Sequence, residues 1–318
     1  MLPRFILLAG YYNDGSAPLG QAFSIFRAEA RGDERGEGTL LKQPVYRLRF
    51  WGVRGTVPTP AGDKLDFGGN TICLAAALSD RDHLILDCGS GLRLLGSHLV
   101  GLRNAISRRY HIFLSHYHFD HVEGLPYFPP LYDPRSTITF HGFRSSGKSP
   151  QKILETLIAP PYFPVKLAGV PARLRYKTDE SSPWTFKDVR ISSLPLRHPN
   201  GSLSYRLEHV GRRIVFATDH EHGNAKTDQA LIRFADRADY LIYDATYIPG
   251  EYESLRRGWG HSTWYAAVQT ARAARVKTLV LFHHHPDHSD RDLREILRVA
   301  RKELPSTVAA REGMELPF

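Results

Sequence analysis

Cysteine is almost absent: two residues, Cys73 and Cys88, in 318. That excludes a disulfide framework, and without a Cys-x-x-Cys pair it also excludes a thiolate zinc finger. Both lie in apolar, strand-like runs, "NTICLAAAL" and "LILDCGSG", and read as small buried residues. No stretch reaches the roughly 18 to 20 apolar residues that span a bilayer, so no membrane segment is expected. The first residues, "MLPRFILLAG", lack the long apolar region and small-residue cleavage site of a signal peptide, which points to the cytoplasm. Nor is there a long block of one charge. The net charge of +9 is spread along the chain, a bias toward anionic partners and not a nucleic-acid motif.

Residues 1 to 44 have little periodicity and are rich in Gly, Pro and charge ("NDGSAPLG", "EARGDERGEGT"), so an extension with little order is expected there. A folded domain is placed at 45 to 318. Alternation begins at "VYRLRFWG", and further strands are expected at "TICLAAAL", "HLILDCG", "YHIFLSHYH", "VRISSLPLRH", "SLSYRLEHV", "RRIVFATD", "YLIYDATY" and "KTLVLFHHH". Helices are expected at "SGLRLLGSHLVG", "TDQALIRFAD", "STWYAAVQTARAARV" (capped by Ser262 or Thr263) and "SDRDLREILRVARKEL". This order predicts two mixed sheets flanked by helices, an αββα arrangement of the α/β class. A Pro-rich middle, about 142 to 187, reads as the crossing between the halves.

Histidine is abundant, with 16 residues. Three of them and one aspartate fall within "HYHFDH", His116, His118, Asp120 and His121, directly after an apolar run. Imidazole nitrogen and carboxylate oxygen are what zinc and similar divalent ions bind, at about 2.0 to 2.2 Å. His116 and His118 alternate, so an extended strand end turns both the same way. His198, Asp219 and His283 each follow a later apolar run, where strand ends present polar groups to a common rim. His284 is the rival to His283, one residue away.

"SHYHFDH" with the downstream His, Asp and His resembles the metal-binding signature of the metallo-β-lactamase fold hydrolases. "YDAT", "GHST" and "LVLFH", with "FWGVRGTVPTP" and "FGGNT", resemble its phosphodiesterase branch: tRNase Z and the phosphoribosyl cyclic phosphodiesterase. The pattern covers roughly residues 46 to 290. The resemblance implies that His116, His118 and His198 hold one metal ion, that Asp120, His121 and His283 hold another, and that Asp219 bridges them. The ions would be zinc, with manganese or iron as alternatives. Two ions about 3.5 to 4 Å apart activate a shared water, with Asp120 among the catalytic groups, and clamp a phosphodiester for in-line attack. The resemblance also makes His261 the general acid, held by Asp244, where tRNA-processing members commonly carry Glu.

Asn70, Thr71 and Arg54 sit in glycine turns that can bring donors to a phosphate, and His284 is a further substrate-contact candidate. His220, His222, His285 and His288 lie beside proposed ligands. The expected substrate is a small anionic phosphodiester, a cyclic nucleotide or phosphoribosyl cyclic phosphate. The alternative is tRNA 3′-end processing, whose enzymes carry a long Gly/Pro-rich basic arm; "FRSSGKSPQKILETLIAPPYFPV" starts basic but runs into an apolar stretch that reads as packed. A non-catalytic metal-binding or sensory module is a third reading. A homodimer is compatible with all three.

Overall fold

The computed structural model describes residues 44–101, 108–178 and 182–318. The expectation for residues 1 to 44 falls, but for Pro44, outside them.

Alternation at the start of the described chain is realised as β1 (Arg47–Gly52), which buries Leu48 and Phe50 and leaves Arg47 exposed. It is followed by β2 (Cys73–Ala77), β3 (Asp82–Leu86), β4 (Arg109–Phe113), β5 (Thr137–Gly142) and β6 (Arg173–Thr178). Then come β7 (Trp184–Phe186), β8 (Val189–Leu196), β9 (Ser202–His209), β10 (Arg212–Ala217), β11 (Tyr240–Asp244), β12 (Thr278–Phe282), β13 (Thr307–Ala309) and β14 (Glu315–Pro317). They form two seven-stranded sheets, ordered β14-β1-β2-β3-β4-β5-β6 and β13-β12-β11-β10-β9-β8-β7. Both are mixed: β3 to β6 run parallel in the first, and β10 to β13 in the second.

Three apolar layers follow from this. Leu48, Phe50, Leu84 and Phe113 of the first sheet meet Ile191, Tyr205, Phe216 and Phe282 of the second. The helices Gly91–Gly101 and Pro150–Leu157 cover the outer face of the first sheet, and Ala225–Phe234 and Trp264–Ala273 that of the second. Each fully buried Leu or Phe contributes about 1.5–3 kcal/mol over exposure, so the two sheet-to-helix layers and the central one together fix the strand ends against each other.

Two elements depart from the sequence reading. The Pro-rich middle is not simply a crossing, because β5 pairs with β6 and the first sheet continues to Thr178. The strand signal of β6 is hidden because Arg173, Arg175 and Lys177 alternate with only half-buried residues on a sheet edge. The C-terminal β14 pairs with β1, closing the first sheet with a segment too short to carry a period.

Candidate metal centre

The histidine loop leaves β4 and turns at once into the one-turn helix Phe119–Val122, which carries Asp120 and His121. Three other strand exits meet it. Asp87 after β3, Asp219 after β10 and His283 after β12 all have positive φ, 59°, 54° and 58°. Non-glycine residues take this left-handed conformation at a cost, and its recurrence at strand ends aims all three side chains at one place. Two glycines make room. A Cβ on Gly55 would stand 2.1 Å from the His283 ring, and one on Gly260 2.3 Å from Nδ1 of His198.

The seven residues of the expected ligand set converge. Ligand atoms of His116, His118 and His198 lie within 4.8 Å of one another, as do those of Asp120, His121 and His283. Asp219 stands between the two groups. Its Oδ1 lies 3.7 Å from His116 Nε2 and 3.6 Å from His198 Nε2, whereas its Oδ2 lies 3.2 Å from His121 Nε2 and 3.3 Å from His283 Nε2.

Whether a cation fits can be tested on the far side of each ring. His121 Nδ1 is 2.8 Å from Asp87 Oδ2, and His198 Nδ1 is 2.7 Å from the Gly260 carbonyl oxygen. His283 Nδ1 is 2.8 Å from Thr246 Oγ1. Where the outer partner is a carboxylate or carbonyl it can only accept, so Nδ1 carries the proton and Nε2 turns a lone pair inward. The inward Nε2 atoms of His116, His121 and His283 are buried and have no hydrogen-bond partner. Lone pairs facing carboxylate oxygens repel unless positive charge lies between them. This donor set therefore fits divalent metal ions.

The electrostatics agree. Burial lowers His116 well below the ordinary histidine value and brings His198 to about 4, favouring the neutral rings that ligate metals. Burial alone would also lower His121 and His283. The carboxylates of Asp219, Asp120 and Asp87 outweigh it at His121 and hold it well above the ordinary value; Asp219, Asp120 and Asp244 raise His283 to about 9. Asp219 is held well below the carboxylate range by His283, His121 and His116 against the opposing effect of burial.

His261 follows Gly260 in the turn before the helix Trp264–Ala273, whose cap is Thr263, accepting from the amide of Ala266. Its Nδ1 lies 2.8 Å from Asp244 Oδ2. The Asp244 side chain is fully buried, while 13% of the His261 side chain is exposed. Asp244 Oδ1 accepts from the amide and hydroxyl of Thr246, and the same hydroxyl reaches His283.

The four expected substrate contacts are not brought to this site. Arg54 is fully buried, donating to the carbonyls of Gly68, His285 and His288. Asn70 binds Glu312, and Thr71 donates to Glu123. His284 turns to the other side of the chain from His283, with Nε2 2.8 Å from the Ala310 carbonyl oxygen. The left-handed turn at His283, φ 58°, comes between the strand and His284, and the two rings go to different partners, His284 to Ala310 and His283 to Thr246. In the structure these four side chains hold loops together; an amide at the metal centre is that of Thr56, 2.7 Å from Asp120 Oδ2. Of the surplus histidines, His220 pairs with Asp228, His288 with Glu251, and His222 lies tilted against Tyr252.

Sequence reasoning passed over Asp87, Thr246 and the Gly260 carbonyl. Asp87 carries the signal used for its neighbours, a polar residue ending an apolar run. Gly260 and Thr246 act through a backbone oxygen and a hydroxyl, which no spacing reveals.

The family described as "Beta-lactamase superfamily domain" matches residues 83–284. Among curated proteins, ribonuclease Z of Picrophilus torridus is 24% identical over 323 residues, covering 85% of this chain and 95% of the relative. Ribonuclease Z of Pyrococcus furiosus is 26% identical over 304 residues, covering 82% and 92%. Among solved structures, the metallo-beta-lactamase fold protein YhfI from Bacillus subtilis superposes with a TM-score of 0.64 at 19% identity, covering 86% of this chain and 99% of that one. The short form of human tRNase Z gives 0.60 at 18% identity, covering 85% and 98%, and a diphosphatase from the PhnP family 0.61 at 16%, covering 86% and 98%. With two mixed sheets, flanking helices and a His/Asp cluster at the strand ends, the chain belongs to the beta-lactamase superfamily as a hydrolase of the metallo-β-lactamase fold.

Proposed function

We propose that this hydrolase is a phosphodiesterase with two divalent ions, most simply zinc, acting on a small phosphodiester such as a cyclic nucleotide or phosphoribosyl cyclic phosphate. The observation that carries the reading is the His261–Asp244 pair set beside the two ligand groups that share Asp219. His116, His118 and His198 would hold one ion and Asp120, His121 and His283 the other, with Asp219 between them. Bound there, the ions supply Lewis-acid charge to the phosphoryl oxygens and make a water nucleophilic near neutral pH.

The protein's own part is proton delivery and orientation. Asp244 fixes the imidazole of His261 through Nδ1, which leaves Nε2 to give a proton to the departing oxygen. Thr246 ties Asp244 to His283, so acid and ligand share one buried carboxylate. Thr56 N–H holds Asp120 in place.

Two features support a small substrate. The segment after β5 is folded down, with Leu154, Ile158 and Leu167 buried against the first sheet. A cavity of about 250 Å³ adjoins His116 and His118, bordered by Ser145, Lys148 and Asn200. The full-length similarity to proteins named ribonuclease Z favours the second reading, tRNA 3′-end cleavage. A cytoplasmic setting and a homodimer belong to the proposal. Among the described residues no helix is long and apolar enough to cross a membrane. The test is hydrolysis of 2′,3′- and 3′,5′-cyclic nucleotides beside a precursor tRNA. Turnover of the cyclic nucleotides supports the first reading, and clean 3′-end cleavage of the tRNA the second.

A further inference from the structure

The loop that delivers His261 displays an aromatic ring to solvent. Trp259 is 55% exposed, two residues before His261, and its neighbour Leu255 is 74% exposed. An exposed indole offers a flat apolar face with one polar N–H edge, a shape suited to another flat ring.

The loop beneath it is anchored. Glu221 is buried, and its Oε1 accepts from the amide of Gly258 at 2.6 Å and from the hydroxyl of Tyr252 at 3.1 Å. On the other side of Trp259 the Gly260 carbonyl oxygen receives Nδ1 of His198 at 2.7 Å. The backbone on either side of Trp259 is thus pinned, at Gly258 by Glu221 and at Gly260 by a candidate metal ligand. The Arg256 guanidinium lies over the ring at 4.3 Å, placing a cation beside it.

We propose that Trp259 is a stacking platform for a nucleobase, so that the substrate class is a nucleotide phosphodiester and not a base-free sugar phosphate. This rests on the reading of His261 as the acid: the departing group must lie against the loop that carries it. A flat heteroaromatic ring stacked on an exposed aromatic side chain is the recognition used for single-stranded nucleic acids, and Arg256 favours its anionic phosphate. The same chemistry is offered by a free cyclic nucleotide and by the 3′ nucleotides of an RNA.

The test compares the parent protein with Trp259→Ala and Trp259→Phe on three substrates: 2′,3′-cyclic AMP, the base-free methyl riboside 2′,3′-cyclic phosphate, and a precursor tRNA. Trp259→Ala is expected to raise KM for the base-bearing substrates about ten-fold to a hundred-fold, to leave the base-free substrate unchanged, and to be largely rescued by Trp259→Phe. Loss confined to cyclic AMP assigns the platform to a small nucleotide, and loss confined to the tRNA assigns it to RNA. Equal effects on base-bearing and base-free substrates, or a Phe variant as poor as Ala, would overturn the proposal. Tryptophan fluorescence with AMP as probe decides the point without turnover. Quenching in the parent that disappears in Trp259→Ala supports the platform even if no phosphodiester is cleaved, whereas quenching absent in the parent or retained in the variant contradicts it.

Discussion

Nδ1 of His118 and Nε2 of His198 stand 3.1 Å apart. The outer nitrogen of His198 gives its proton to the Gly260 carbonyl, so its inner nitrogen offers a lone pair to a second imidazole. His118 and His198 would serve together as ligands to one divalent ion, with Asp219 Oδ1, 3.6 Å from His198 Nε2, as the neighbouring oxygen donor. Asp219→Ala is therefore expected to lose metal together with activity, because both ligand groups lose their shared oxygen donor. Elemental analysis after dialysis checks this; full retention of two ions in the variant contradicts the bridging role.

Asp87 never faces the proposed metals, yet it receives His121 Nδ1 at 2.8 Å and the amide and hydroxyl of Ser115. It orients the ring and raises its basicity. Asp87→Asn should weaken metal affinity about 10- to 100-fold, read by competition with a chelator of known affinity. An unchanged competition curve would remove Asp87 from the centre.

His261→Ala should lower turnover by roughly 10²- to 10⁴-fold with both ions retained. Asp244→Asn should lower it as well and shift the pH profile, since the amide no longer stabilises the imidazolium. A leaving group that needs no proton, such as p-nitrophenolate, should be much less sensitive to either change. Equal losses on good and poor leaving groups would argue against acid catalysis.

A separate acid sensitivity is built into the layer between the sheets, where His141 meets Phe113 and Trp184. His141 packs on Phe113 with ring centroids 4.1 Å apart and contacts His111, and burial pushes His141 down to about 2 from 6.5 and His111 to about 4. Their folded pKa values are depressed, so the unfolded chain binds protons first. The stability they contribute is complete above pH 6.5 and is lost as pH falls toward the folded values. Urea unfolding of His141→Phe between pH 6.5 and 4 should show a shallower decline, about one proton fewer taken up. An identical decline in both proteins would refute it.

The legible part of the site was the part written in side chains at strand ends. His116, His118, Asp120, His121, His198, Asp219 and His283 each follow an apolar run, and parallel strands deliver such positions to one rim. The layer order was legible for the same reason, since the central strands carry strong apolar patterns. What stayed hidden rests on geometry without periodicity. The buried guanidinium of Arg54 looks, in sequence, like a phosphate ligand in a glycine turn; only the three carbonyls around it show that it holds the loops instead. The platform at Trp259 depends on exposure and on anchors from Glu221 and His198, which are remote in the chain.

The most direct test is metal content and hydrolysis on one preparation, purified without chelator and assayed before and after metal is added back. Two ions per chain, with 2′,3′-cyclic nucleotide turnover that collapses in His261→Ala, is the predicted result. Fewer than one ion per chain and no turnover of any phosphodiester after metal is restored would contradict the account and leave the histidine cluster as a binding module.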